Sequence, residues 1–342
     1  MGKIVEITDK YLKVEVPQKA VSGEVTLTFN GQTKVVATIK IQREYELYAY
    51  RRNYADLNNY IKELVKIDKN TGSQSTVANL DIEDIYFRNL IFDEQEKSII
   101  GLTKMVSQNA VLVKVNLETG KNTKIPLSDI TTIDFRELVK DNKGNFYSHR
   151  RNYTDDNNYL TQLVKININT GNQSVVANLD IDKNYFTDLV FNEQENNVIG
   201  LVRKQSNGSI LLKVNLETGK NTKIPLSNTS SIDFDGLVKD NKGNFYAYRR
   251  DYTNMDNYIT QLVKIDISTG HQSVVTNLDI EGSYFTDLVF DEQENSIIGF
   301  TKGQSNHTTL LKVNLETGKS TKIALLNVNT SNFDGLVFIP KQ

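Results

Sequence analysis

Three arginine pairs, each followed by a tyrosine, are the residues of this sequence best suited to bind a ligand. The second arginine of each pair has a tyrosine two positions later. A guanidinium group presents forked donors that fit carboxylate, sulfate or phosphate groups. A tyrosine ring offers a flat amphipathic surface on which a sugar can stack. The sequence therefore predicts a ligand-binding set made of Arg51, Arg52, Tyr54, Arg150, Arg151, Tyr153, Arg249, Arg250 and Tyr252.

We predict that each arginine pair opens a polar loop. These loops, at 51–60, 150–159 and 249–258, also contain a second tyrosine, acidic residues and asparagine. Further cations occur at the matching positions between these segments, namely Lys104, Arg203, Lys204 and Lys302. A structural interpretation stays open beside the functional one. The arginines can pair with acids inside the protein while the tyrosines pack the loops, which makes the motif inherited loop architecture.

The spacing of the arginine pairs belongs to a repeat of 99 residues. The segment 114–128 recurs unchanged at 213–227, and 138–147 recurs unchanged at 237–246. Thr-Gly pairs divide each repeat again, because they follow one another at steps of 48 or 51 residues. The sequence therefore predicts six modules of roughly 50 residues, arranged as three double modules.

Each module contains four short runs typical of β-strands, separated by turn signals such as Asn-Lys-Gly. No segment has the 3.6-residue period of a helix. Four strands in each of six modules predict an all-β, six-bladed β-propeller that spans residues 44–342. The first module lacks a first strand, and residues 331–340 match one. We therefore expect residues near 333–339 to pair with residues near 46–52 and close the ring, which removes two open sheet edges.

The first 43 residues differ from the repeat. The runs "LKVEVP" and "SGEVTLTFNGQ", with the turn Asn30-Gly31, resemble the C-terminal half of an IPT/TIG domain, an immunoglobulin-like module. The prediction is a partial Ig-like segment over residues 1–43. The alternative is a few strands that form no independent domain, since a segment this short is marginal alone.

The hairpin "DNKGNFY" at 141–147 and 240–246 resembles that of NHL and SMP-30/gluconolactonase-like propellers, and "LVKID" followed by Thr-Gly is similar to TolB-like propellers. TIG-like modules before such propellers resemble exported surface proteins of Bacteroidetes-type bacteria, many of which are tied to glycan use. The resemblance implies an extracellular or cell-surface location. No signal peptide is visible, so this expectation rests on the resemblance and on an assumed removal.

A second candidate site lies along the propeller axis, at the start of each first strand. The aligned positions are Asn89, Glu137, Asp188, Gly236, Asp287 and Gly335, preceded by Arg88, Arg136, Thr187, Asp235, Thr286 and Asp334. Oxygen ligands near the axis could hold Ca²⁺, and SMP-30-like lactonases resemble this arrangement. The alternative is that these polar residues are neutralised by Arg88, by Arg136 or by water.

Composition excludes several classes of function. The chain has no Cys and three His, which excludes disulfides and thiolate chemistry and disfavours a multi-His metal site. A net charge of -2 argues against nucleic-acid binding, and no apolar run is long enough to span a membrane. The three histidines, His149, His271 and His307, do not occupy equivalent repeat positions.

The repeats break their symmetry very little, which disfavours an enzyme. The leading prediction is a non-enzymatic, monomeric binding module without a cofactor, whose partner is an extracellular glycan or a surface protein. One alternative is a metal-dependent hydrolase or lactonase at the channel mouth. Another is a protein-interaction scaffold. No catalytic residue is predicted.

Overall fold

The computed structural model describes residues 3–8, 12–15, 23–39, 44–54, 60–82, 85–105, 110–127, 133–153, 160–181, 184–203, 208–226, 231–254, 258–280, 284–302, 308–326 and 331–341. These residues form 28 strands and no helix, which confirms the all-β prediction. The chain divides into two compact units, Met1–Glu44 with Pro340–Gln342, and Tyr45–Ile339.

The first unit contains two separate antiparallel strand pairs. Strand β1 (Lys3–Ile7) pairs with β2 (Leu12–Glu15), and β3 (Gly23–Phe29) pairs with β4 (Gln32–Ile39). The second pair is joined by Asn30 and Gly31, whose φ angles of 49° and 76° are those of a two-residue hairpin turn. The resemblance to an IPT/TIG module stays a prediction.

The second unit is a six-bladed β-propeller, as predicted, and each blade is a four-stranded antiparallel sheet. Blade 1 contains β5 (Tyr45–Asn53), β6 (Ile61–Ile67), β7 (Gln74–Asn79) and β28 (Ser331–Pro340). Blade 2 contains β8 (Ile85–Asp93), β9 (Ser98–Met105), β10 (Val111–Asn116) and β11 (Asn122–Pro126). Blade 3 contains β12 (Ile133–Lys140), β13 (Phe146–Asn152), β14 (Leu160–Ile166) and β15 (Gln173–Asn178).

The remaining blades repeat this order. Blade 4 contains β16 (Tyr185–Asn192), β17 (Asn197–Arg203), β18 (Ser209–Asn215) and β19 (Asn221–Pro225). Blade 5 contains β20 (Ile232–Lys239), β21 (Phe245–Asp251), β22 (Ile259–Ile265) and β23 (Gln272–Asn277). Blade 6 contains β24 (Tyr284–Asp291), β25 (Ser296–Lys302), β26 (Thr308–Asn314) and β27 (Ser320–Ala324).

The C-terminal strand closes the ring, as predicted. The strand order of blade 1 is β28-β5-β6-β7, so the last strand of the chain pairs with the first strand of the propeller. The rings of Tyr45 and Phe338 also meet edge to face, with centroids 6.4 Å apart. Blade 1 is therefore assembled from both ends of the repeat array.

The hydrophobic core lies between the blades. Tyr147 and Leu163 of blade 3, for example, share one buried cluster with Phe186 and Leu212 of blade 4. The first strands of consecutive blades contact one another from β8 through β12, β16 and β20 to β24, which places them around the axis. This arrangement follows from strands that alternate in side-chain direction and bury both faces against neighbouring sheets.

The propeller has two faces of different character. We call the side on which second strands end and third strands begin the loop face; it carries Tyr54, Tyr153 and Tyr252. The opposite turn face carries short turns such as the one after Asp141, whose carboxylate accepts hydrogen bonds from the backbone N–H groups of Lys143 and Asn145 at 2.9 and 2.8 Å. This Asx-type turn chemistry explains the recurring "DNKGN" segment.

Candidate functional site

The arginine pairs lie within strands, which corrects the prediction that they belong to the loops. They are located near the C-terminal ends of β5, β13 and β21. Side chains alternate in direction along a strand. The two arginines of a pair therefore point towards different neighbouring blades and cannot act as one forked group.

The first arginine of each pair connects strands of its own blade. Arg51 donates to Glu63 at 2.7 Å and to Gln74 at 2.8 Å. Arg150 donates through Nε to Gln162 at 3.1 Å and through Nη1 to Gln173 at 3.0 Å, and Arg249 donates to Gln272 at 3.2 Å. These five hydrogen bonds join the second strand to the third or fourth strand of the same blade, so the primary role of the three arginines in the fold is structural.

The fourth-strand glutamines that accept hydrogen bonds from these arginines also donate hydrogen bonds to the preceding blade. The side-chain amide of Gln74 donates to the carbonyl of Leu326 at 2.9 Å, and that of Gln272 donates to the carbonyl of Leu226 at 2.6 Å. Gln173 donates in the same way to Leu127. The first arginine therefore belongs to a polar link between blades, and the binding role predicted for it stays a prediction.

The second arginine of each pair lies beneath a loop-face tyrosine. Arg52, Arg151 and Arg250 are 8%, 6% and 6% exposed. Their guanidinium carbons lie 5.8, 5.5 and 5.3 Å from the ring centroids of Tyr54, Tyr153 and Tyr252. A cation at this distance is attracted by the ring face. The three equivalent contacts give each odd-numbered blade the same arginine-supported tyrosine.

Each second arginine also contacts a second element. Arg52 forms an ion pair with Asp334 of β28 at 3.1 Å. Arg151 donates to the hydroxyl of Tyr153 at 3.1 Å and to the carbonyl of Asn184 in blade 4. These contacts hold the guanidinium groups in place, which in turn fixes the tyrosines stacked on them.

Arg250 lies at the centre of an aromatic group on the loop face. Its guanidinium carbon lies 5.6 Å from the ring centroid of Tyr248 and 3.8 Å from that of Tyr284 in blade 6. The ring of Tyr252 in turn contacts that of Tyr258, with centroids 5.5 Å apart and an angle of 41° between the ring planes. We call these five residues the Arg250 cluster. Tyr284 is 46% exposed, and Tyr252 and Tyr258 are half-buried, so the cluster presents aromatic surface to solvent.

The arrangement around Arg250 recurs in part at blade 1, where the rings of Tyr54 and Tyr60 lie 5.3 Å apart. Tyr60, Tyr258 and Tyr284 were not among the nine predicted site residues. A sequence signal for Tyr284 existed, because a tyrosine precedes the first-strand phenylalanine in every even-numbered blade, at Tyr86, Tyr185 and Tyr284. Tyr159, the second tyrosine of the segment 150–159, lies outside the described residues.

The cations of the even-numbered blades reach the following odd-numbered blade. Arg203 pairs with Asp233 of blade 5, and Lys302 pairs with Asp334 of blade 1 at 2.6 Å. Lys302 also lies 3.7 Å from Asp287. Burial alone would lower the pKa of Lys302, but Asp287 and Asp334 outweigh it and raise that pKa. The side chain of Lys104, and Lys204, lie outside the described part of the chain.

The axial positions lie in the middle of the first strands, at a β-bulge, and not at the strand start as predicted. Five of the six have a positive φ: 58° at Asn89, 54° at Glu137, 55° at Asp287, 63° at Gly236 and 62° at Gly335. This left-handed conformation favours Gly, Asn and Asp. A Cβ on Gly236 would also meet Cγ of Leu288 at 2.7 Å. Backbone geometry therefore accounts for the residue types at Asn89, Asp287, Gly236 and Gly335, and not for Glu137.

The axial side chains of the even-numbered blades bond the backbone of the next blade. Asn89 donates to the carbonyl of Leu138 at 2.8 Å. Asp188 and Asp287 accept from the N–H groups of Gly236 and Gly335, both at 3.0 Å. These bonds recur once per repeat and connect the bulges of neighbouring blades, so three of the six axial positions are already used in joining the ring.

The axial carboxyl groups raise one another's pKa values. Burial, then the charges of Glu137, Asp235 and Asp287, raise the pKa of Asp188 well above its usual range. Burial is also the main cause that raises the pKa of Asp235 to about 6, and it raises the pKa of Asp334 despite Lys302. Burial and the neighbouring carboxyl groups therefore both favour the protonated form of Asp188.

The axial residues do not fit a metal ion well. In the ranges the structure describes, no three Asp, Glu or His side chains come together in a way that could hold a metal. The amide and carboxylate groups best placed near the axis are engaged with the backbone of the next blade. These residues are therefore poor ligands for the calcium ion that the sequence suggested.

Blade 3 departs from blades 1 and 5 at four adjacent positions. Arg136, Glu137, Ser148 and His149 stand where blade 5 has Asp235, Gly236, Ala247 and Tyr248. His149 is fully buried and meets the edge of Phe186 with ring centroids 5.0 Å apart. Burial, Arg151 and Arg136 lower its pKa to about 3. His271 lies in an exposed turn, and His307 lies outside the described residues.

The comparisons with known proteins support the fold. No protein-family model matches the chain, and no curated protein matches it in sequence. Among solved structures, TolB from Acinetobacter baumannii is 11% identical, covers 89% of this chain and 68% of its own, and gives a TM-score of 0.63. A Bacteroides caccae protein of unknown function is 11% identical, covering 87% of this chain and 100% of its own, with a TM-score of 0.56.

The periplasmic gluconolactonase PpgL of Pseudomonas aeruginosa is a third similar structure. It is 10% identical, covers 86% of this chain and 99% of its own, and gives a TM-score of 0.54. Similarity at these identities shows a shared propeller fold and does not transfer an activity. Within the described residues there is also no helix with the length and apolarity that a membrane crossing requires.

Proposed function

We propose that this chain is a non-enzymatic, monomeric glycan-binding module that works outside the cell or at the cell surface. The observation that carries the proposal is the Arg250 cluster, in which one buried arginine supports tyrosine rings that remain partly exposed on the loop face. Rings held in this way lose little conformational freedom when a ligand stacks on them. The extracellular location is supported by the resemblance of the repeat to exported propellers.

The roles of the predicted residues divide according to their placement. Tyr54, Tyr153 and Tyr252 contact the sugar rings, joined by Tyr284 in blade 6. Arg52, Arg151 and Arg250 hold these rings through cation–π contacts. Arg51, Arg150 and Arg249 act at a distance from the ligand, because their hydrogen bonds run to the third and fourth strands.

Native affinity electrophoresis tests this proposal. The wild-type chain is run through gels that contain polygalacturonate, carob galactomannan or barley β-glucan, beside gels without polymer. We expect retardation by at least one polymer. The variant Tyr246→Phe is a matched control, because Tyr246 lies on the turn face and bonds Asp240 at 3.2 Å; it should be retarded as wild type. Unretarded migration in every gel would reject glycan binding.

A second candidate function, a hydrolase or lactonase at the propeller axis, is favoured by one observation. Burial and the charges of Glu137, Asp235 and Asp287 raise the pKa of Asp188 well above its usual range, and a carboxyl group with a raised pKa can act as a general acid. Incubation with the same three polymers, followed by measurement of reducing ends, separates this function from binding alone. Release that is lost in Asp188→Asn would favour the hydrolase.

A further inference from the structure

The loop face repeats one local structure three times. In each odd-numbered blade a buried arginine lies 5.3–5.8 Å from a tyrosine ring. The third strand then begins with an exposed aliphatic residue, Ile61, Leu160 or Ile259, which are 50%, 46% and 49% exposed. The strand register places each aliphatic residue opposite the residue that precedes the tyrosine. Ring and aliphatic group therefore lie at the same blade edge.

Among the described residues, the even-numbered blades do not show this structure. Their second strands end in Met105, Arg203 and Lys302, and none of Lys104, Arg203 and Lys302 has a tyrosine two positions later. The third strands of blades 4 and 6 begin with Ser209 and Thr308, both of which are buried. The surface pattern is therefore threefold although the propeller has six blades.

We propose that the loop face carries three equivalent subsites, one per 99-residue repeat, which together bind one repeating polysaccharide chain. The inference rests on the proposed function and adds the class of ligand, a polymer with regularly repeated units. Three equal sites do not increase the affinity for a single small sugar, which occupies one site at a time, whereas a repeating chain can occupy several sites at once.

The distance between subsites decides which ligands can join them. A compact unit of this size has an expected radius of gyration of about 19 Å, so subsites one third of the ring apart are separated by roughly 20 Å or more. A trisaccharide is too short to bridge that distance and fills one subsite. A polymer bridges two or three, which can raise its affinity by about 10²–10⁴ over one subsite.

A glycan is favoured over a protein with threefold symmetry. In the described residues, each repeat offers partly exposed tyrosine rings and one aliphatic group instead of a continuous apolar patch, which protein interfaces usually contain. Tyrosine presents both a ring face and a hydroxyl, as a sugar requires. A protein partner would be indicated if the chain binds none of the polymers.

Counting bound trisaccharides tests the inference. Native mass spectrometry of the intact chain is performed with trigalacturonate, mannotriose or cellotriose, matching the polymer that retards the protein. We expect up to three bound copies in wild type and up to two in each of Tyr54→Ala, Tyr153→Ala and Tyr252→Ala. The exposed-residue variants Ile61→Ser, Leu160→Ser and Ile259→Ser, whose side chains lie outside the core, provide a second set that preserves folding.

Affinity electrophoresis of the same variants supplies the second measurement. Removing any one subsite should weaken polymer binding by on the order of 10-fold to 100-fold, equally for the three positions. A wild-type chain that binds polymer but only one trisaccharide, with a loss confined to one variant, would overturn the three-subsite inference and leave glycan binding intact. Absence of binding to every polymer and trisaccharide would reject both.

Discussion

The guanidinium carbon of Arg250 lies 3.8 Å from the centroid of the Tyr284 ring, although the two residues belong to neighbouring blades. The same guanidinium also approaches Tyr252 of its own blade at 5.3 Å. One buried cation therefore positions rings from two sheets on the loop face. Because Tyr284 belongs to blade 6 and Arg250 to blade 5, the cluster depends on the packing of these two blades.

Replacing Arg250 with glutamine should weaken glycan binding, because the tyrosines lose the cation that holds them. Cation–π contacts that are shielded from water contribute about 1–2 kcal/mol each, so a loss of roughly 5- to 30-fold in affinity is expected. Isothermal titration with the retarded polymer measures it. The neighbouring variant Arg249→Gln, which removes the hydrogen bond from Arg249 to Gln272 and no contact of the Arg250 cluster, is the control. Equal affinities of the two variants would contradict the assignment of separate roles.

The Arg51–Glu63 ion pair should be a large contributor to the stability of blade 1. Both side chains are mostly buried, and the atoms lie 2.7 Å apart. Arg51→Ala leaves a buried carboxylate without its cation, which costs about 3–5 kcal/mol in the free energy of unfolding.

The variant Glu63→Gln provides the comparison, because blades 3 and 5 have Gln162 and Gln261 at the equivalent positions. It should cost about 1 kcal/mol or less, since a neutral hydrogen bond remains. Urea denaturation measures both variants. Similar losses for Arg51→Ala and Glu63→Gln would show that the ion pair is not what stabilises this blade.

His149 should make the protein sensitive to mild acid. Its pKa is about 3 in the folded protein and about 6.5 in an unfolded chain. Below pH 6.5 the unfolded state takes up a proton that the folded state does not, so stability falls as pH falls through this window. Between pH 6.5 and pH 5 the loss is about 2 kcal/mol, at about 1.4 kcal/mol per pH unit.

The variant His149→Tyr introduces the residue found at positions 50 and 248. The free energy of unfolding of this variant should fall less than that of wild type between pH 7.0 and pH 5.0, whatever its value at pH 7.0. Urea unfolding curves at pH 7.0 and pH 5.0 measure the difference for each protein. Identical pH dependence in both proteins would mean that position 149 is not the acid-sensitive residue.

Asp188→Asn should stabilise the protein at neutral pH. The pKa of Asp188 is raised in the folded state, so above about pH 4 the unfolded chain releases a proton that the folded chain keeps. The contribution of Asp188 to the free energy of unfolding therefore falls as pH rises. Asparagine cannot ionise, so the variant does not lose this stability. Its side-chain oxygen can still accept from the N–H of Gly236.

Thermal unfolding at pH 7.5 and pH 4.5 measures the effect of Asp188→Asn. We expect a midpoint at least about 2 °C above wild type at pH 7.5, with a smaller difference at pH 4.5. A variant that is less stable at both pH values would show that the carboxyl group is ionised and needed in that form.

The propeller fold could be predicted from the sequence because the segments that form its strands and turns recur along the chain. The identical segments 138–147 and 237–246 show the hairpin twice, and the unmatched strand at 331–340 predicts the closure of blade 1. The Asn30-Gly31 turn follows from the φ angles that these two residues tolerate. Each of these features depends on residues close in sequence or on a simple count of strands.

The candidate site could be predicted only in part. The sequence locates the arginine pairs but not the residue at which the strand ends. If the strand ended before Arg51, the two arginines could act together in a loop; inside the strand, Arg51 and Arg52 point to opposite sides. The partner of Arg250, Tyr284, is 34 positions away and belongs to the next blade. The axial residues Gly236 and Gly335 are required by the backbone conformation of the β-bulge, and no pattern in the sequence predicts that bulge.

Glycan binding through the loop-face tyrosines is tested most directly by comparing wild type with the triple variant Tyr54→Ala, Tyr153→Ala, Tyr252→Ala on one affinity gel. Circular dichroism first establishes that both proteins are folded. We expect the polymer that retards wild type to leave the triple variant unretarded, while Tyr246→Phe migrates as wild type. Undiminished retardation of the triple variant would place binding elsewhere on the propeller and contradict the function proposed for the loop face.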